Sequence, residues 1–177
     1  EPIRLTESRG VALTMDGKYA YHLGESAVNI SLLDGENTKN VGQIGRSGAA
    51  VFTCNNNLLL VSEVSAGGNG LDEEMSVRME IYDISVPETP VLRDEYTQRG
   101  SLTACWMRGA DLYVATGDGA CACGWSRLDD PSEYYPALAH GSETVPWGDE
   151  DISILGEPTR VEYCAITVIN GNTREMV

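Results

Sequence analysis

Apolar and polar positions along this chain fall into a unit that returns: a tight turn, a short apolar strand, a second strand, then a polar turn into the next copy. The first copy reads Asp16-Gly17-Lys18-Tyr19-Ala20-Tyr21, then Val28-Asn29-Ile30-Ser31-Leu32-Leu33-Asp34. The second reads Asn56-Asn57-Leu58-Leu59-Leu60-Val61, then Met79-Glu80-Ile81-Tyr82-Asp83-Ile84. The third opens at Gly109-Ala110-Asp111-Leu112-Tyr113-Val114 and reaches its second strand only at Ala165-Ile166-Thr167-Val168-Ile169. Tyr19, Leu59 and Leu112 are spaced by about 40 and about 53 residues, the range in which repetition signals propeller blades or solenoid units.

Turn chemistry coincides with this alternation. Asp16-Gly17 stands between Val11-Ala12-Leu13 and Tyr19-Ala20-Tyr21, and Gly supplies the positive φ that a two-residue hairpin turn demands. Asn55-Asn56-Asn57 serves the same purpose between Val51-Phe52-Thr53 and Leu58-Leu59-Leu60, since Asn tolerates the left-handed region best after Gly. Arg108-Gly109-Ala110-Asp111 closes the third hairpin. From Leu71 to Tyr82 two periods compete, because Leu71, Met75 and Met79 share a helical face while Val77, Met79 and Ile81 alternate with Arg78 and Glu80. The alternation favours a strand from about residue 76.

The chain has 177 residues, with 12 Lys and Arg against 27 Asp and Glu, a formal charge of −15. Nucleic acid and anionic membranes are recognised through clustered basic residues, so neither is expected as a partner. Most carboxylates fall in turns and read as a solvated surface, and no calcium loop with alternating oxygen ligands is present. The longest apolar run, near Leu58 to Val61, is far short of the roughly 20 residues of a spanning helix, so no membrane insertion is expected. No basic segment leads into an apolar stretch at the start, so no signal peptide is expected within this chain.

Of the five cysteines, Cys54, Cys105 and Cys164 fall in predicted strands and read as small buried hydrophobes. Cys121 and Cys123 sit in the Gly-flanked segment Gly119 to Gly124, where a loop disulfide or a pair of plain thiols is preferred to a metal site. Structural zinc takes four ligands, and only His22 and His140 offer imidazoles. No metal and no cofactor are expected. No nucleophile elbow, phosphate-binding Gly loop or dinucleotide fingerprint appears, and no catalytic residue is assigned.

The segment from about residue 119 to 157 is an insertion carrying Trp125, Tyr134, Tyr135 and Trp147 among Gly, Pro and acidic residues. Long loops on rigid β scaffolds are where binding surfaces concentrate, so these four aromatics are the candidate binding residues. The competing reading packs them onto their own sheets as a small satellite core.

One stretch adds a resemblance. Asp83-Ile84-Ser85-Val86-Pro87-Glu88-Thr89-Pro90-Val91, preceded by Tyr82 and followed by the extended Arg93 to Gly100, resembles secreted bacterial and archaeal proteins with a β-propeller domain. Thr14 to Tyr21, Leu112 to Thr116, Asp129 to Pro136 and Asp149 to Ile154 extend the resemblance in order across most of residues 11 to 170. It implies a fold and an extracellular or cell-surface location, and no reaction. The expected fold is therefore all-β: about three antiparallel propeller-type blades in an incomplete or open propeller, with units at about 10–48, 49–100 and 101–177 in a single domain 1–177. Propellers usually close with four to eight blades. The chain is thus expected to be a fragment covering the first blades, or a short member whose edges are covered by its own insertion or by another copy.

The leading functional expectation is a non-catalytic extracellular or cell-surface interaction module for a protein or carbohydrate. A carbohydrate-active hydrolase or lyase using Asp and Glu, and a thiol-based redox or metal site at Cys121 and Cys123, stand as alternatives. Self-association through exposed blade edges is also expected, because an uncovered edge strand invites pairing.

Overall fold

A computed structural model of the chain describes residues 10–35, 37–66, 74–119, 137–147, 151, 153 and 162–177. Among these residues the protein is all-β. In chain order the strands are β1 (Val11–Leu13), β2 (Tyr19–Leu23), β3 (Val28–Asp34), β4 (Asn37–Ile44), β5 (Ala50–Cys54), β6 (Asn57–Ala66) and β7 (Glu74–Asp83). They continue with β8 (Val91–Arg99), β9 (Ser101–Arg108), β10 (Asp111–Gly119), β11 (Leu138–His140), β12 (Glu143–Val145) and β13 (Glu162–Asn170). Three antiparallel sheets result: β1-β2-β3-β4, then β12-β11-β8-β7-β6-β5, then β13-β10-β9.

The middle sheet is buried on both faces, and its sequence shows why. Leu58, Leu59, Leu60 and Val61 are all fully buried, a continuous apolar run of the kind expected where a strand is covered on both sides. Leu58 and Leu60 pack with Tyr21, Val28 and Ile30 of the first sheet. Leu59 and Val61 point the other way, into a core shared with Leu112, Val114 and Ile169 of the third. Each such side chain contributes roughly 1.5–3 kcal/mol by leaving water.

The hairpin turns sit where the sequence places them, with one correction. Cys54 pairs with Asn57 and Arg108 with Asp111, so Asn55-Asn56 and Gly109-Ala110 are two-residue turns. Asn55 (φ 51°) and Gly109 (φ 63°) take the left-handed conformation. The first hairpin is longer than the expected two-residue turn. Thr14 N–H bonds the Tyr19 carbonyl, and Gly17 N–H closes back on the Thr14 carbonyl at 2.9 Å, leaving Met15 to Lys18 as a four-residue loop. The Asp16 carboxylate selects it by accepting from the Thr14 hydroxyl (2.7 Å) and the Lys18 amide (3.0 Å), while Gly17 still adopts φ 68°.

The proline-bearing segment after β7 clamps the first two sheets together. Tyr19 Oη donates to Glu88 Oε1 at 2.5 Å, and Tyr21 Oη to the Pro87 carbonyl at 3.3 Å. Between the second and third sheets a buried polar node does similar work. Gln98 is fully buried, donates to Thr116 Oγ1 (2.7 Å) and the Ala165 carbonyl (3.0 Å), and accepts from Thr167 Oγ1, so its amide is satisfied on both ends.

After β13 the chain turns and comes back along that strand. Asn170 N–H donates to the Glu175 carbonyl, Ile169 bridges Met176, and Val177 N–H donates to the Val168 carbonyl. The turn itself packs on the β5–β6 hairpin. Asn57 donates to the Gly171 carbonyl (2.7 Å) and accepts from Arg174 Nε (3.1 Å), while Asn172 Oδ1 accepts from Asn55 and from Cys54 Sγ.

The cysteines depart from expectation. Cys54 and Cys105 are half-buried against the second core, but Cys164 is exposed. It shares a strand face with Ile166 and Val168, as the alternation requires, yet that face of β13 points away from the middle sheet, which Ala165, Thr167 and Ile169 meet instead.

Candidate functional site

The insertion contributes structure to a sheet other than its own. β11 and β12 form a hairpin with Gly141 (φ 57°) opening its two-residue turn, and β11 pairs with β8, extending the β5–β8 meander of the middle sheet. Leu138 is buried there, the Arg99 amide donates to the Ala137 carbonyl (2.8 Å), and the Gly141 amide donates to the Glu95 carbonyl (2.8 Å). An open edge would offer unpaired N–H and C=O groups to another chain, and the hairpin occupies part of that edge.

His140 locks the hairpin in place. Its ring stacks on Tyr96 with centroids 4.4 Å apart and planes at 9°, and its Nε2 lies 2.9 Å from Asp94 Oδ1. Tyr96 Oη in turn donates to the Arg174 carbonyl at 2.9 Å, joining the insertion, β8 and the C-terminal turn in one chain of contacts. Trp147 lies two residues beyond β12, after Pro146, and is half-buried. Trp125, Tyr134, Tyr135, Cys121 and Cys123 lie outside the described residues, so of the candidate binding residues the structure places Trp147 alone.

On the face of the middle sheet turned to the first lies its most buried carboxylate. Glu80 is paired across strands with Glu95, and Arg46 Nε stands 3.4 Å from Glu80 Oε1. Burial pushes the Glu80 carboxyl above its ordinary value, opposed by Arg46 and then by the Tyr82 hydroxyl and Arg78. Tyr82 is itself pushed up to about 12, by burial first and Glu80 second. Two neighbouring carboxylates with one raised pKa is the pattern of glycoside chemistry. Here, however, Glu80 is closed off from solvent and turned toward an arginine, so the geometry offers a sugar no access to it.

Among the described residues no group of three or more His, Cys, Asp or Glu side chains could hold a metal ion. Among them, too, no helix is long and apolar enough to cross a membrane.

Sequence reasoning missed the β11–β12 hairpin and its anchor. Leu138-Ala139-His140-Gly141-Ser142-Glu143-Thr144-Val145 does carry a signal, a Gly-first pair between two short alternating runs, but at three residues each the strands fall below what periodicity detects. Comparison with known proteins finds no matching family model, no matching curated protein and no matching solved structure. The likeness to secreted β-propeller proteins therefore stands on the motifs in the chain alone.

Proposed function

We propose that this protein is a non-catalytic interaction module of propeller type, acting outside the cell or at its surface, which recognises a protein or carbohydrate through the insertion between β10 and β13. Two features support the propeller reading. Successive antiparallel meanders follow one another in chain order, and each is built outward from a hairpin at its first two strands. The observation that carries the functional reading is the mounting of β11–β12 on β8, fixed by His140, Asp94 and Tyr96. A hairpin mounted on a rigid sheet is presented at little entropic cost, which is what a preorganised binding surface needs. Trp147 lies two residues beyond that hairpin, and indoles supply large, rigid contact area for sugar rings or apolar anchors.

The test is calorimetric titration of the 177-residue protein with a panel of neutral and cationic oligosaccharides, run beside an assay for new reducing ends. Binding without turnover, weakened about tenfold by Trp147→Ala, is the expected outcome, consistent with an aromatic anchor worth about 1.4 kcal/mol or more. Release of reducing ends would replace the module with an enzyme.

A further inference from the structure

The turn after β13 holds a backbone conformation that its residue does not favour. Arg174 adopts φ 68°, in the left-handed region, where Cβ crowds the following carbonyl oxygen and Gly or Asn is the usual occupant. A residue so placed persists where its surroundings over-determine it, and three hydrogen bonds do so here. The Arg174 amide donates to the Asn170 carbonyl (2.7 Å), its Nε donates to Asn57 Oδ1 (3.1 Å), and its carbonyl accepts from Tyr96 Oη (2.9 Å). Gly171 seats the same turn against both hairpins beside it. Its amide donates to the Ala110 carbonyl at 2.7 Å, and a Cβ there would meet Cys54 Cβ at 2.9 Å.

Tyr96 carries that fixity across β8. Its side chain is buried in the core shared with the third sheet, and its ring lies nearly parallel to that of His140 on β11. Packing alone leaves a phenol some freedom to tilt, and the bond from its hydroxyl to the Arg174 carbonyl removes it. The strand it supports is short. β11 has three residues, paired with β8 only from Leu138↔Gln98 to His140↔Tyr96, and so short a hairpin is marginal without side-chain anchors.

We infer that Tyr96 is a positioning residue for the proposed binding surface, and that the left-handed backbone at Arg174 sets where its hydroxyl, and with it the β11–β12 hairpin, comes to rest. The turn after β13 thereby regulates a surface built from a different stretch of chain. A shift of Arg174 out of the left-handed region loosens the hairpin, and by reciprocity a firmly seated hairpin steadies the turn. That the hairpin presents a ligand rests on the interaction-module reading; its coupling to the turn does not.

The experiment is amide exchange on the 177-residue protein, read at Gly141 and Arg99, whose amides donate across the β8–β11 seam to the Glu95 and Ala137 carbonyls. Tyr96→Phe keeps the ring and removes only the hydroxyl. Both amides should then exchange about two- to tenfold faster, the worth of one hydrogen bond, with the Leu33 amide of the first sheet unchanged. Unchanged exchange at the seam would make Tyr96 core filling and overturn the inference. Arg174→Gly keeps the left-handed turn without the side chain and should leave the seam near the parent rate, whereas Arg174→Val, strained at that φ, should speed it as Tyr96→Phe does. In the Tyr96→Phe, Arg174→Val double variant the two effects should not add, because the hydroxyl is the link. Additive effects, or equal acceleration by Gly and Val, overturn the coupling. Should Arg174→Val lose its β circular dichroism signal, Arg174→Ala replaces it as a smaller change. Titration of Tyr96→Phe with the oligosaccharide panel separates the two proposals. Binding weakened along with the seam supports the positioning role, and binding unchanged despite faster exchange overturns it. A parent that binds no oligosaccharide removes the module reading and the positioning role together, while the coupling still stands or falls on exchange.

Discussion

Asp83 is held by its surroundings in the charged state. The Ser85 amide donates to Oδ1 at 2.9 Å and Arg93 Nη2 reaches Oδ2 at 3.1 Å, and these bonds, the Ser85 ones foremost, bring its pKa down to about 2 from an ordinary value near 3.8. A depressed carboxylate stabilises the fold above its unfolded value, and that contribution is lost as pH falls through the folded one. The melting temperatures of the parent and Asp83→Asn should therefore differ most above about pH 4 and converge near pH 2. A gap independent of pH would assign the effect to shape and not charge. Glu80 works in the opposite sense. Its raised pKa means that its protonated form is the one the fold favours, so its contribution is present below the ordinary value and declines as pH rises through the raised one.

The β1–β2 hairpin gives a sharper test of how local chemistry sets an element. A side chain at Gly17 would meet nothing within 4 Å, so any penalty for substitution comes from its φ of 68° alone. Gly17→Val should cost about 1–3 kcal/mol in thermal denaturation, with Gly17→Asn recovering most of it. Equal stability of the two variants would remove the left-handed turn as the cause. The turns were the legible part of this fold, because Gly and Asn declare positive φ at single positions and fix the register of β1–β2, β5–β6 and β9–β10. β4 was not legible: Asn37-Thr38-Lys39-Asn40 is polar and exposed, and pairing with β3, not its own pattern, makes it a strand. Cys164 misled for a related reason. Alternation put it with Ile166 and Val168 correctly, but periodicity says which residues share a face and not which face is covered. Nothing local in the insertion marked β8 as the partner of β11, since the two are some forty residues apart in the chain.

Across the whole molecule the middle sheet is the one covered on both sides, and protection should follow cover. Amide exchange should be slowest in β6 and β7, where Leu58 to Val61, Val77, Met79 and Ile81 are all essentially buried, and faster in β1–β4 and β9–β10. Slowest exchange in β3 or β10 would show that the stack is organised around another sheet. The third sheet has a different standing, because β10 ends at Gly119 and its neighbour β13 begins only at Glu162. On a ribosome adding about 5–20 residues per second, the intervening forty or so residues take seconds to appear, whereas neighbouring strands pair in microseconds. For that interval Leu112 and Val114 are present without Ile169, β8 gains β11 before β10 gains β13, and the turn at Asn170 to Arg174 reaches Asn57 last. The order of synthesis thus makes the nascent third sheet the stage at which a chaperone or a neighbouring chain would find the most unpaired strand.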